Sequence, residues 1–263
     1  MSVSGTHAAR AAVFALAASS AAAGCTCGAP ASPACTPSAV KRPVDIVFVI
    51  DNSGSMGAEM EKVRANLNAF AGKIDGRALD YQVVLLTRRA TKPDQKGTVI
   101  CVPPPLGGPA CADNPPKLRH IDQSIGSTDA LTRLLSTYDH RDPKINWSRS
   151  LRFDAVKVFI AVTDDQSSMS AEEFDRGLLA KEPAGMFGTA AQRKYVFHSI
   201  VGWQDGTPLL SSQKCRGAEN PGLRYQELSK LTGGYVESVC KTDYSGVLDR
   251  FATGIIDSVT CAR

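Results

Sequence analysis

The run Val44-Asp45-Ile46-Val47-Phe48-Val49-Ile50 constrains this chain more than any other stretch. Six of its seven residues are apolar and five are β-branched. It lacks the alternation of a half-buried strand, so it predicts a strand covered on both faces, as in a parallel sheet lined by helices. It stops abruptly at the polar turn Asp51-Asn52-Ser53-Gly54-Ser55. Beyond the turn, Met60, Val63, Leu67, Phe70 and Ile74 recur at spacings of three and four, which predicts an amphipathic helix ending near Gly76.

The same alternation repeats along the chain. Strands are predicted at Tyr81–Thr87, at Thr98–Val102 as a short third strand, and at Val156–Thr163, Tyr195–Val201 and Tyr235–Val239. A helix is predicted over Ser127–Ser136 through Leu131, Leu134 and Leu135. Another opens at the capping box Ser170-Ala171-Glu172-Glu173 and carries Phe174 and Leu178. A third covers Leu223–Leu231 and stops at Gly233-Gly234, and Val247, Leu248, Phe251, Ile255 and Ile256 mark a last one. Strands alternating with helices predict a doubly wound α/β domain with a mostly parallel central sheet flanked by helices. The 263 residues suffice for one large core, and no internal repeat is visible. A net charge of +4 with 6% aromatic residues gives no nucleic-acid groove, so no nucleic-acid partner is expected.

The N-terminal segment has a different character. Met1 to Arg10 is polar with one Arg, and Ala11 to Gly24 is uncharged. Fourteen helical residues rise about 21 Å, short of the roughly 30 Å hydrocarbon core of a bilayer. Residues 1–24 therefore read as a secretory signal peptide, and no other segment holds 18 apolar residues. Residues 25–43, rich in Ala, Pro, Ser and Thr, read as a flexible tether, and residues 44–261 as the folded domain. Ala22-Ala23-Gly24-Cys25 resembles the bacterial lipobox, with Ala22 where Leu is usual. The resemblance implies that Cys25 is acylated and holds an exported protein at a membrane of the cell envelope. Ordinary cleavage after the Ala run leaves instead a soluble periplasmic or secreted protein.

Export places the eight cysteines in an oxidising compartment, where thiols can pair. Cys101 and Cys111 are ten residues apart beside the Pro-rich stretch 103–117, and their pairing would staple an insertion near 101–118. Cys215 and Cys240 follow two successive strands and are a second candidate pair. Cys35 and Cys261 flank the domain and are a third. Connectivity is not fixed by spacing, and Cys27 is left over.

Two of the predicted buried strands end in acids, Asp51 and Asp164, the latter followed by Asp165. Open α/β sheets bind ligands beyond the carboxyl ends of their strands, where strand order reverses. If these two strands are neighbours, the acids share one crevice and repel unless a proton or a cation lies between them. Ser53 and Ser55 add hydroxyls, and Gly54 lets their turn fold tightly. Alternatively, the serines only cap the next helix. A donor set made of oxygens favours a hard cation: Mg2+ first, Mn2+ as its substitute, Ca2+ behind both. His120, His140 and His198 have no mutual spacing that suggests a metal site or a triad, and are read as structural.

The stretch Asp45 to Met56 closely resembles the first strand and metal-ion-dependent adhesion site of the von Willebrand factor A family. The resemblance implies metal contacts from Asp51, Ser53 and Ser55, from a Thr on a second loop, and from an Asp after the fourth strand. Asp164, in Val162-Thr163-Asp164, fits the last role, and Thr128, in Gly126-Ser127-Thr128-Asp129, is the candidate for the Thr. The likeness spans roughly Arg42 to Cys261 and is carried by three short stretches. Two features depart from the family: Asp165 stands where Gly is usual, and the stapled Pro-rich segment replaces the helix expected before the Thr loop.

That family implies a binding module rather than an enzyme. The cation's open position accepts a Glu or Asp from a protein ligand, and the surrounding shape sets specificity. Arg88, Arg89 and Lys92 follow the second strand and are expected on the same face, either as a solvated turn or as a rim steering the acidic ligand. Two other readings compete. One is a structural domain of the same fold with a vestigial metal site. The other is a Mg2+-dependent phosphoryl hydrolase of the haloacid dehalogenase type, which usually needs a second acid two positions after the first. Ser53 stands there and cannot serve as a general acid at neutral pH. A serine hydrolase fares worse, because no Gly-x-Ser-x-Gly surrounds Ser53 or Ser55.

Overall fold

Hydrogen-bonding order places β1 (Val44–Ile50) at the centre of a six-stranded sheet, as its unbroken apolar run demands. The computed structural model describes residues 1–2 and 42–260. Nearly all of the expected signal peptide and tether, with Cys25, Cys27 and Cys35, lies outside the described residues, as does Cys261. The remaining strands are β2 (Tyr81–Thr87), β3 (Leu118–Asp122), β4 (Val156–Val162), β5 (Tyr195–Val201) and β6 (Val236–Ser238). Their order is β3-β2-β1-β4-β5-β6, and every pairing is parallel. Strand order reverses between β1 and β4, so the strands ending at Asp51 and Asp164 are direct neighbours, with Ile50 opposite Val162.

Five helices cover the two faces: α1 (Gly57–Asp75), α2 (Ala130–Thr137), α3 (Ala171–Leu179), α4 (Leu223–Thr232) and α5 (Ser245–Thr260). The period-two geometry of a strand sends Val44, Ile46, Phe48 and Ile50 into the core shared with α1 and α5. Val47 and Val49 enter the core shared with α2, α3 and α4. The expected doubly wound α/β class is the one observed. The capping box at Ser170 and Glu173 forms in both directions, and Gly233 closes α4 in the left-handed conformation at φ 71°. Among the described residues, no helix is long and apolar enough to cross a membrane.

The third strand is not where the sequence places it. Leu118–Asp122 pairs with β2, whereas Thr98–Val102 contributes a single bridge between Ile100 and Arg89. The cause is the insertion. Cys101 and Cys111 are bonded, and a side chain on Gly107 would meet the Val102 carbonyl at 1.8 Å, so the segment folds back upon itself. Ile100, Val102 and Leu106 are buried as a cover over the α1 side of the core instead of as sheet residues. Helix α2 also begins later than its sequence pattern, because Asp129 takes the Gly126 amide and holds 126–129 as a turn. The second expected disulfide, Cys215–Cys240, joins the loop after β5 to the end of β6. Disulfides of this kind fit an oxidising compartment.

Candidate functional site

The carboxyl edge of the sheet at the β1/β4 reversal brings three loops together. The first, Asp51 to Ser55, leads through a single 3-10 turn (Gly54–Met56) into α1. The second, Ser124 to Asp129, precedes α2, and the third, Thr163 to Ser168, follows β4. Asn52 clasps the second loop twice: its amide donates to the Ile125 carbonyl at 2.9 Å, and its side-chain oxygen accepts the Ile125 amide at 2.6 Å. The third loop is tied to the second where Ser168 donates its amide and hydroxyl to the Thr128 carbonyl at 2.8 and 3.0 Å.

Asp51 has no exposed surface. One of its oxygens accepts the Ser53 amide at 2.7 Å and the other the Thr163 hydroxyl at 2.9 Å. Thr163 in turn accepts the Asp165 amide, so the side chain that orients Asp51 is itself held by the third loop. The hydroxyls of Ser53 and Ser55 lie 3.2 Å apart, and Ser55 donates to Asp164 Oδ1 at 3.2 Å. This bond crosses from the β1 loop to the β4 loop. Ser53 occupies the position before the 3-10 turn but makes no side-chain cap, and α1 starts after Met56. The serines therefore do not serve as helix caps; their hydroxyls face each other and the second acid. Gly54 is not sterically required: a Cβ there would meet nothing within 4 Å, and its φ is not in the left-handed region.

The electrostatics match buried acids that have no counter-charge among the described residues. Burial pushes the Asp51 carboxyl above the usual carboxylate range, aided by the charge of Asp165 and opposed by hydrogen bonds from Ser53 and Thr163. Asp164 is also pushed up, by burial first and then by the charges of Asp51 and Glu59, against the Ser55 hydrogen bond. Ser55, Thr128 and Ser168 are exposed, so two buried carboxylates sit under a rim of hydroxyls open to solvent.

This donor set fits a small hard cation, which would relieve the repulsion between the acids and replace the weak bonds among Ser53, Ser55 and Asp164. Among the described residues there is no group of three His, Cys, Asp or Glu side chains placed to hold a metal, so any cation here draws on hydroxyls and water as much as on charge. Thr128 is exposed, and its loop is tied to the third loop through its backbone carbonyl, which accepts from Ser168.

Sequence reasoning missed Thr163, Asn52 and Asn220. The Asn220 side chain donates to Asp165 at 2.6 Å, and the amides of Glu219 and Asn220 donate to the Asp164 carbonyl at 2.8 and 3.0 Å. Asp165 is thus engaged by the β5–α4 connection. Of the basic residues, Arg88 and Lys92 are exposed, whereas Arg89 turns inward. Its guanidinium binds Asp113 and the His120 carbonyl, and its amide donates to Asp122 at 3.0 Å. His120 and His198 are both buried, far apart in strand order, and hydrogen-bonded to backbone. A cavity of about 310 Å³ lies elsewhere, between α1 and α5, lined by residues such as Asn66, Phe70 and Asp249.

No family model matches the chain, and no curated protein matches it. Among solved structures it is similar to proximal thread matrix protein 1 from the mussel byssus, at 18% identity and a TM-score of 0.36. That likeness covers 82% of this chain and 46% of the mussel protein, so the chain spans a little under half of that protein's length.

Proposed function

We propose that this chain is an exported binding protein built on a von Willebrand factor A-type domain, and that it engages a protein ligand through a metal-ion-dependent adhesion site. Asp51, Ser53, Ser55 and Asp164 hold the cation, with Thr128 from the second loop. Mg2+ is the first candidate, with Mn2+ able to replace it. A Glu or Asp of the ligand completes the coordination. The observation that carries this reading is the Ser55–Asp164 hydrogen bond, which brings the donor groups of two separate loops into one crevice above two buried acids. When bound, the cation supplies an open position with residual positive charge. The protein's own share is to keep Asp51 fixed through the Thr163 hydroxyl and the Ser53 amide, beside the paired hydroxyls of Ser53 and Ser55.

The N-terminal segment adds that the domain is carried out of the cytoplasm and tethered by an acylated Cys25. A second reading has one observation in its favour. Both acids already accept hydrogen bonds within the protein, as they would in a structural domain whose metal site is vestigial. Following the melting temperature while adding millimolar Mg2+ or Mn2+ separates the two. The adhesion-site reading expects a rise that Asp51→Ala abolishes; no rise in the wild-type protein supports the vestigial site.

A further inference from the structure

The connection from β5 to α4 carries a folded tip between Gly202 and Cys215. Its two arms meet along their length. Trp203 bridges Lys214 in antiparallel fashion, the Gln204 amide donates to the Gln213 carbonyl at 3.3 Å, and the Cys215 amide donates to the Gly202 carbonyl at 2.8 Å. The Cys215–Cys240 bond fixes the base. At the far end stand Leu209 and Leu210, 44% and 38% exposed, the one adjacent pair of exposed large apolar side chains among the described residues.

The chain holds this pair under constraint. Leu210 has a φ of 66°, in the left-handed region that a bulky L-residue adopts only against steric resistance. Its amide donates to the Gln226 side chain at 2.8 Å, and Gln226 has no exposed surface. The Ser211 amide closes the turn on the Pro208 carbonyl at 3.3 Å. Backbone strain of this kind persists only where the surroundings impose it, and it gathers at segments that clamp ligands.

Gln226 also ties the tip to the crevice. Its Nε2 donates to the Pro221 carbonyl at 2.7 Å. The preceding residue, Asn220, donates from its side chain to Asp165 at 2.6 Å and from its amide to the Asp164 carbonyl at 3.0 Å. Leu210 is therefore connected to the third loop through Gln226, Pro221 and Asn220, along the same carboxyl edge of the sheet.

We propose that Leu209 and Leu210 are an apolar contact for the protein ligand whose acidic side chain is read at the crevice, so that this ligand carries a large apolar residue beside its Glu or Asp. The inference rests on the cation-site reading above. A carboxylate on a cation is common to many ligands. A fixed apolar contact next to it discriminates among them, because covering the leucines gains only where the partner offers apolar surface, and a rigid tip loses little freedom on binding. The partner is a protein segment and not a lipid surface. The exposed charges flanking the tip are mixed, Asp205 and Glu219 against Lys214 and Arg216, without the basic excess that holds a loop on an anionic membrane.

The test selects phage-displayed random peptides on the wild-type protein in Mn2+, then measures the affinity of the recovered peptides, made synthetically, for wild type and for Leu209→Ser/Leu210→Asn. Asn takes the left-handed conformation readily, so the tip keeps its backbone. The expected peptides need Mn2+, carry an acidic and a large apolar residue, and bind the double variant about tenfold more weakly, at an unchanged melting temperature. Equal affinity for the two proteins, or Mn2+-dependent peptides with an acid and no apolar residue, overturns the role of the tip and leaves the cation site standing. A melting temperature lowered by several degrees also overturns it, since the leucines would then be packed for structure. Peptides that bind as well in a chelator, or a selection that recovers none, remove the cation-site reading and this inference with it.

Discussion

Asp45 and Lys157 stand opposite each other on β1 and β4, both without exposed surface, and both hold the same loop. Asp45 accepts the Arg152 amide at 2.7 Å and its guanidinium at 2.9 Å. Lys157 donates to the carbonyls of Arg152, Phe153 and Ala155. Two buried opposite charges thus fix the entry to β4 at the end of the sheet remote from the crevice. Burial pushes the Lys157 pKa down to about 8, with Asp45 pulling it back up. Lys157→Met takes a charged donor from three carbonyls, of which that of Arg152 keeps the Ala155 amide, and leaves Asp45 with Arg152 as its compensation. A loss of about 3–5 kcal/mol is expected from breaking such a buried arrangement. Urea denaturation measures it, and a loss under one kcal/mol would contradict this role.

Asn52 is the second lever, because it joins the first loop to the second by two hydrogen bonds with Ile125. Asn52→Ala removes the side-chain bond and keeps the backbone one. The stability cost is that of one hydrogen bond, about 1 kcal/mol. The proposed cation site should suffer more than the fold, since the loop carrying Thr128 loses an anchor. Mn2+ titration and urea denaturation on the same preparation are expected to show weaker metal binding with only a modest shift in the unfolding midpoint. Full metal affinity would mean that the clasp is not needed to place Thr128.

The sheet and most of its helices were legible because their signals are local. The apolar run of β1, the spacing of three and four in α1 and the capping box of α3 each lie within one short window. The edge strand β3 was not legible. Leu118-Arg119-His120-Ile121-Asp122 mixes charge with apolar residues, while the more strand-like Ile100 and Val102 are diverted by a disulfide. At the site, the acids were visible because each ends a buried strand. Their supports were not, because Thr163 reaches Asp51, Asn52 reaches Ile125 and Asn220 reaches Asp165 only after the chain has folded. No periodicity encodes a contact between loops so far apart in sequence.

Acid should destabilise the fold through its buried histidines. His198 lies with its ring near-parallel to those of Tyr235 and Phe251, which also neighbour each other, accepts the Tyr235 amide at Nδ1, and is held neutral by burial and by Arg250, with a pKa lowered from 6.5 to about 3. Between those values the unfolded chain binds a proton that the folded chain refuses. Stability is therefore full above pH 6.5 and falls as the pH drops toward 3, by up to about 1.4 kcal/mol per pH unit for one such group. His120, lowered to about 4, adds to the effect. The crevice acids, whose pKa values are raised, act in the opposite sense, so the comparison is best made against a variant. His198→Leu is expected to flatten the fall in urea midpoint between pH 6.5 and pH 4.5. An identical slope in both proteins would refute the assignment.

The three basic residues after β2 should separate by mutation. Arg89 is bound to Asp113 and to the His120 carbonyl, so Arg89→Gln is expected to loosen the insertion and lower stability by about 1–3 kcal/mol. Arg88 and Lys92 are exposed. Changing both to Gln should leave the melting temperature unchanged and slow the capture of an acidic ligand, more at low salt than at high. Equal association rates at low salt would remove any steering role for the pair.

The Cys215–Cys240 bond has a consequence for when the crevice is complete. The chain that leaves Cys215 runs, within five residues, to Asn220 and its grip on Asp164 and Asp165. One wall of the crevice is therefore anchored by a covalent link that forms only under oxidising conditions. Reducing Cys215–Cys240 should therefore slacken the wall over Asp164 and Asp165 while leaving the parallel sheet paired, so the redox state of two thiols reaches the acids through five residues of chain.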